Sequence, residues 1–205
     1  MDSTELTSEQ QFLLKEYDSA ARLTYHIDEL RNKLTSFFLT FTGAGGAALV
    51  IIVKGEQKQF FSDEVIACLF IVIAILGTIV VAILARCRRA QIEHFAIINR
   101  IRTYFLQKNY DLWNVVQLSS KTLPTPNRKS GTYMWTVLII LVTCGLVCTA
   151  SFILTNRIEI IQETIWPIII AAFLFLATYL LIDQMYFTLA SPPPAIQYST
   201  NNPPQ

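Results

Sequence analysis

Four long apolar stretches constrain this chain more than any other feature. They lie at residues 34–53, 65–85, 134–154 and 165–182, and none carries a charged residue in its middle. Each is close to the ~20 residues that an α-helix needs to cross the hydrocarbon of a bilayer. Only 15% of the residues are charged, against about 25% in a typical soluble domain. The sequence therefore predicts an all-α integral membrane protein built as a four-helix transmembrane bundle.

The basic residues predict which way the spans face. Segments 1–33 and 86–132 hold thirteen of the sixteen Lys and Arg residues. Cytoplasmic loops carry such an excess of positive charge, so both termini and the central segment are expected in the cytoplasm. The net charge of +1 gives no general attraction to nucleic acid, and membrane lipids are the expected surroundings.

Five segments follow from these spans. The N-terminal one is a cytoplasmic helix, and the next is a transmembrane hairpin. A cytoplasmic basic helix and linker come third, followed by a second transmembrane hairpin. The last segment has five prolines in fifteen residues, a composition typical of disordered tails. The boundaries, in order, are 1–33, 34–85, 86–132, 133–190 and 191–205.

Both cytoplasmic helices are predicted to continue from a membrane span without a break. Thr7 and Gln10 have the spacing of a capping box, which starts a helix. Neither glycine nor proline occurs in residues 8–33 or 86–109, so the second helix is expected to reach Asn109. Each extension has an apolar seam that needs a partner, and we expect the two to pack on each other. The seam on the first helix is Leu13, Ala20, Leu23, Ile27, Leu30 and Leu34.

The first span concentrates its smallest residues in one cluster. In lipid, small residues let helix backbones approach closely, and this contact drives association. We interpret the cluster as an oligomer interface; pore lining and packing within one four-helix bundle are the alternatives. Asn99, which lies among isoleucines, is either part of the oligomer interface or a surface residue. The cluster consists of Gly43, Ala44, Gly45, Gly46 and Ala47.

Three arginines, Arg86, Arg88 and Arg89, follow the second span directly. Basic residues near the headgroups attract anionic lipid by about 1 kcal/mol each. They are candidates for lipid or phosphate contact. The alternative interpretation is that they only anchor the topology.

The remaining polar residues give little sign of chemistry. Glu93 and His94 could in principle meet His26 and Asp28 as a metal or catalytic site, but solvated faces and ion pairs are the preferred interpretation. Asp183 ends the fourth span, where it is expected to reach water. Because no span carries a central charge, a secondary transporter is disfavoured.

The cysteines are interpreted as packing residues. Cys144 and Cys148 share a helix face, which leaves a metal or redox pair as the alternative. We predict no catalytic residue, no metal and no cofactor.

Two short motifs carry a resemblance. A cytoplasmic helix with the step from Asp28 to Arg31 leads into a span that opens FFLT, at residues 37–40. This arrangement resembles the small bacterial RipA-type octameric membrane proteins. The stretch INRIRTYFL, at residues 98–106, is similar to an element of uncharacterised bacterial membrane proteins. The resemblance implies a bacterial inner-membrane protein with relatives in stress or phage-defence settings, and it supplies no catalytic residue.

Together these patterns favour a self-associating membrane protein that is not an enzyme. It is expected to act as a membrane effector or a pore-forming accessory, controlled through its cytoplasmic helices. The first alternative is a scaffold without a pore that anchors a cytoplasmic protein partner. The second is a membrane-embedded enzyme that uses Glu93 and His94.

Overall fold

The described part of the chain is almost entirely helical. The computed structural model describes residues 7–54, 62–108, 128, 130–155 and 165–192. They form four α-helices and no strand, so the predicted all-α class is confirmed. The linker at 109–127, the loops at 55–61 and 156–164 and residues 193–205 of the predicted disordered tail lie outside the described residues. The helices are α1 (Ser8–Lys54), α2 (Asp63–Lys108), α3 (Gly131–Thr155) and α4 (Trp166–Ala190).

Helix α1 begins with the predicted capping box. The Thr7 amide donates to Gln10 Oε1 at 3.1 Å, and the Gln10 amide donates to Thr7 Oγ1 at 3.3 Å. These reciprocal bonds satisfy two backbone donors that the first turn of a helix leaves without a partner. From there α1 runs for 47 residues and α2 for 46 without interruption. Both predicted long helices are confirmed, and α2 ends one residue before Asn109.

Three helices, α2, α3 and α4, are long and apolar enough to cross a membrane. They indicate a multi-pass membrane protein. In the predicted first span, the side chains of residues 49, 50, 52 and 53 lie outside the description. That span, the kind of membrane and the direction of the termini stay predictions.

The chain divides into two compact units. Unit 1 contains the described residues up to 31, those at 86–108 and those at 190–192. Unit 2 contains the described residues at 32–85 and 128–189. Helices α1 and α2 each contribute to both units.

In unit 1, α1 packs on α2 as predicted for the two extensions. Tyr104 Oη donates to a carboxylate oxygen of Glu9 at 2.8 Å, and Arg102 donates to Tyr17 Oη at 3.1 Å. The guanidinium of Arg102 also lies 5.7 Å from the centre of the Tyr17 ring, within the range of a cation–π contact. Apolar residues of unit 1 are buried as well: Ala20 of α1 and Ile92, Ile98, Ile101 and Leu106 of α2.

The predicted seam of α1 is wrong at two positions. Leu23 and Leu30 are 45% and 41% exposed, whereas Thr24 is buried. Thr24 Oγ1 donates to the Ala20 carbonyl at 2.9 Å, so its hydroxyl has a partner without help from water. A threonine therefore takes a buried position that the hydrophobic pattern assigned to leucine.

In unit 2, Gly77 of α2 lies where three helices meet. A Cβ atom at Gly77 would lie 2.8 Å from Phe38 Cζ of α1 and would overlap Thr143 Oγ1 of α3. Phe38 and Thr143 are both buried, so neither can easily move aside. Only glycine allows this approach. The buried stripe of α2 around it consists of Ala67, Ala74, Val81 and Leu84.

Candidate functional site

The predicted interface cluster on α1 is open. Around Gly43, Gly45 and Gly46, a Cβ atom would meet no described atom within 4 Å beyond the helix's own backbone. Ala44 and Ala47 are exposed as well. The alternative, packing within one four-helix bundle, therefore gains no support from close contacts among the described residues. The cluster is available to lipid or to a second molecule.

A buried polar network in unit 1 joins α1 to α2; we call it the Gln91 network, and it consists of Asp28, Arg31, Arg88 and Gln91. Gln91 Nε2 donates to the two Asp28 carboxylate oxygens at 3.1 and 3.3 Å, and Gln91 Oε1 accepts from Arg88 at 2.7 Å. Arg31 forms an ion pair with Asp28 at 2.9 Å. The amide of Gln91 thus bridges a carboxylate on one helix and a guanidinium on its own helix.

The three arginines that follow the second span do not form one surface. Arg88 is only 7% exposed and is held inside unit 1 by Gln91, so it is not presented to lipid. Arg89 forms an ion pair with Glu93 at 3.1 Å, and Arg86 is exposed. For Arg86 and Arg89, contact with lipid or phosphate stays a prediction.

The structure gives no support to the metal alternatives. His26 is exposed, and Glu93 is engaged by Arg89. No three His, Cys, Asp or Glu residues of the described chain lie close enough to hold a metal ion. Cys144 is buried, as a packing residue should be, and Cys148 is half-buried. Asn99 of α2 is half-buried, and its role as an interface residue stays a prediction.

Asp183 is the functional candidate that the sequence interpretation missed. It was expected to reach water, but it is 4% exposed. Tyr133 Oη donates to Asp183 Oδ1, and Arg128 donates to Asp183 Oδ2 at 2.7 Å. We call Arg128, Tyr133 and Asp183 the Asp183 cluster. The sequence did contain a signal for this cluster. Arg128 and Tyr133 lie near the start of the third apolar stretch, and Asp183 lies at the end of the fourth.

Aromatic rings enclose the Asp183 cluster. The Tyr133 ring lies 5.6 Å from that of Tyr186 and 5.3 Å from that of Phe187, between ring centres. The Arg128 guanidinium lies 5.2 Å from the Phe187 ring centre. The hydrogen bond to Asp183 raises the pKa of Arg128 above its usual value. This arrangement ties the segment before α3 to α4; it holds two helices together and presents no nucleophile.

The Asp183 cluster gives a testable difference between its two donors. Tyr133→Phe removes a buried hydroxyl that donates to a buried carboxylate, and we expect the free energy of unfolding to fall by about 1–2 kcal/mol. Arg128→Ala removes a donor whose side chain is 70% exposed, so water can replace it and little change is expected. Thermal unfolding in detergent, followed by circular dichroism, measures both. Equal losses in the two variants would contradict this assignment.

Comparison with models of known protein families, with curated proteins and with solved structures finds no match. The relation to the RipA-type proteins therefore stays an expectation drawn from two short motifs. The class of protein that the fold supports is a multi-pass helical membrane protein. Its candidate features are the open cluster on α1, the Gln91 network and the Asp183 cluster.

Proposed function

We propose that this chain is a self-associating protein of the bacterial inner membrane, with both termini in the cytoplasm. The observation that carries the proposal is the open glycine cluster of α1. Each glycine in a helix costs about 1 kcal/mol relative to alanine, and lipid packs no better against glycine than against a larger apolar residue. A neighbouring helix that approaches closely offsets this cost through van der Waals contact. Within the described chain no helix does so at Gly43, Gly45 or Gly46.

The assembled protein acts as a membrane effector or a pore-forming accessory. Helices α1 and α2 each continue without a break from unit 1 into unit 2. The Gln91 network clamps the two helices within unit 1, and a partner or signal that alters this clamp has a continuous helix through which to act. A role in stress or phage defence belongs to the same proposal and rests on the resemblance to the RipA-type proteins.

The alternative, a scaffold without a pore, is favoured by the N-terminal part of α1. Phe12 and Tyr25 are 61% and 74% exposed. Exposed aromatic side chains are enriched in surfaces that bind other proteins. In this interpretation the membrane helices only anchor a cytoplasmic partner.

Substitution of the open glycines tests self-association. Gly45→Leu and Gly46→Leu should convert oligomers of the detergent-extracted protein into smaller species, because leucine prevents close backbone contact. Each 1.4 kcal/mol of lost contact lowers the association constant about tenfold. Gly145→Leu on α3 is the matched control, since its Cβ also meets open space. Native mass spectrometry measures the distribution; an unchanged distribution in all three variants would contradict the proposal.

Leakage of a fluorescent dye from liposomes then separates the pore from the scaffold. Wild-type protein at high density in liposomes of zwitterionic and anionic lipid should release the dye, and Gly45→Leu should release less. Intact liposomes that contain oligomers of confirmed mass would favour the scaffold and exclude an intrinsic pore.

A further inference from the structure

Helix α1 carries a second apolar stripe, separate from the face that packs inside the chain. Successive residues of the stripe are separated alternately by four and three positions over four heptads. This spacing is the repeat of a left-handed coiled coil. The stripe reaches from the segment predicted to be cytoplasmic into the first predicted span without a charged residue. We call it the α1 stripe, and it consists of Leu23, Ile27, Leu30, Leu34, Phe37, Phe41, Ala44, Ala48 and Ile51.

Most of the α1 stripe is not used within the chain, although Ile27 and Leu34 are half-buried. Leu23, Leu30 and Phe41 are 40–45% exposed, and Phe37 and Ile51 are each 69% exposed. The Phe37 and Phe41 rings stack on each other with centres 6.1 Å apart, on the open side of the helix. The buried residues of α1 lie outside the stripe, and they are Ala20, Thr24, Thr35 and Phe38.

Lipid alone does not account for this pattern. Hydrocarbon covers apolar residues at any rotation and imposes no heptad repeat, and it does not reach Leu23 and Leu30 in the segment predicted to be cytoplasmic. A straight helix drifts by about 20° per heptad from such a repeat. A repeat kept over 28 residues, or about 42 Å of helix, is what a supercoiled partner helix requires.

The partner helix has to be as long as the α1 stripe and has to carry an exposed apolar stripe with the same heptad spacing. Helices α3 and α4 have only 25 residues each. Helix α2 is long enough, and Val65, Val72 and Ile79 are exposed at heptad spacing, but the next heptad position is the exposed Arg86. Among the described helices, α1 alone carries a largely exposed apolar stripe of this length. Two copies held in one membrane in the same orientation bring their α1 helices together in parallel.

We propose that α1 pairs with α1 of a second copy as a parallel, in-register coiled coil along the α1 stripe. This inference rests on the proposed self-association and names the partner and the register. Each stripe residue then faces its own counterpart. Ala44 and Ala48 allow the closest approach, and Phe37 and Phe41 fill the contact below them. The open glycines, Gly43, Gly45 and Gly46, lie outside the stripe.

Disulfide cross-linking in native membranes tests the register. Leu23→Cys and Leu30→Cys each place a thiol on the stripe, and Tyr25→Cys and Asn32→Cys are matched controls two residues along, on the far side of the helix. All four residues are exposed, so the substitutions should not disturb folding. A disulfide needs Cα atoms within about 7 Å, which the stripe positions reach and the control positions do not. The chain without an added cysteine measures the cross-linking of the four native cysteines.

We expect the stripe variants to give disulfide-linked dimers at least several-fold above the controls after oxidation with copper phenanthroline. Equal cross-linking at stripe and control positions would overturn the pairing, because it would reflect random collision. Oligomers in native mass spectrometry without cross-links at the stripe would overturn the pairing and leave self-association standing. A monomer by mass, without cross-links, would overturn both proposals.

Discussion

Replacing Gly77 with alanine is expected to destabilise unit 2 more than any other single-carbon change in the described chain. The new Cβ would lie 2.8 Å from Phe38 Cζ and would overlap Thr143 Oγ1. Thr143 cannot turn away without cost, because its hydroxyl donates to the Ile139 carbonyl at 2.8 Å. Overpacking of a buried contact costs about 1–3 kcal/mol. The measurement is the free energy of unfolding of the detergent-solubilised protein.

Gly145→Ala is the control for this experiment. Its Cβ meets no described atom within 4 Å beyond the backbone of its own helix. Both substitutions gain about 1 kcal/mol of helix propensity, so the difference between the two variants isolates the steric cost at Gly77. Equal stability of Gly77→Ala and Gly145→Ala would show that the three helices do not meet at this residue.

Gln91→Leu is expected to have the second large effect, by opening the Gln91 network. Leucine has a similar size but neither accepts the bond from Arg88 at 2.7 Å nor donates to Asp28 at 3.1 Å. Hydrogen bonds to charged groups contribute about 1.5–3 kcal/mol each. Because Asp28 is half-buried, water can replace part of the hydrogen bonding that it loses with Gln91. We expect the free energy of unfolding to fall by about 2–3 kcal/mol.

Gln107→Leu provides the matched control, since Gln107 is an exposed residue of the same helix. Exposed substitutions away from such networks change stability by about 0.5 kcal/mol or less. Hydrogen exchange locates the effect: amides of α1 and α2 within unit 1 should exchange faster in Gln91→Leu than in Gln107→Leu. Identical exchange in the two variants would argue against the network as a clamp between α1 and α2.

Local chemistry made the helices and their starts predictable. The reciprocal bonds of Thr7 and Gln10 involve residues three apart, and the uninterrupted course of α1 and α2 follows from the absence of glycine and proline in their polar halves. The apolar content of α2, α3 and α4 depends on composition alone. The start of α1, the all-α class and the three membrane-length helices are therefore readable without knowledge of any neighbour.

The rotation of each helix about its axis was not predictable, because it depends on the partner. Helix α1 has apolar residues on more than one side, and hydrophobic spacing does not decide which side faces α2. The seam interpretation assigned Leu23 and Leu30 to the contact, whereas the structure leaves them exposed and buries Thr24. A threonine hydroxyl that donates to the carbonyl four residues earlier keeps a hydrogen-bond partner when it is buried. A hydrophobic pattern that counts threonine as polar therefore misses it as a contact residue.

The candidate sites show the same division. By itself the sequence determined the helical class, the apolar lengths, the capping of α1 and the presence of the small-residue cluster, since each depends on neighbours within a few residues. Only the tertiary structure decided that Gly77 rather than Gly45 is the tight contact, that Gln91 bonds Asp28, and that Asp183 is enclosed by Tyr133 and Arg128. Each of these contacts joins side chains that lie more than 35 residues apart in the chain. Such contacts depend on how the helices rotate and pack, which short-range sequence patterns do not specify.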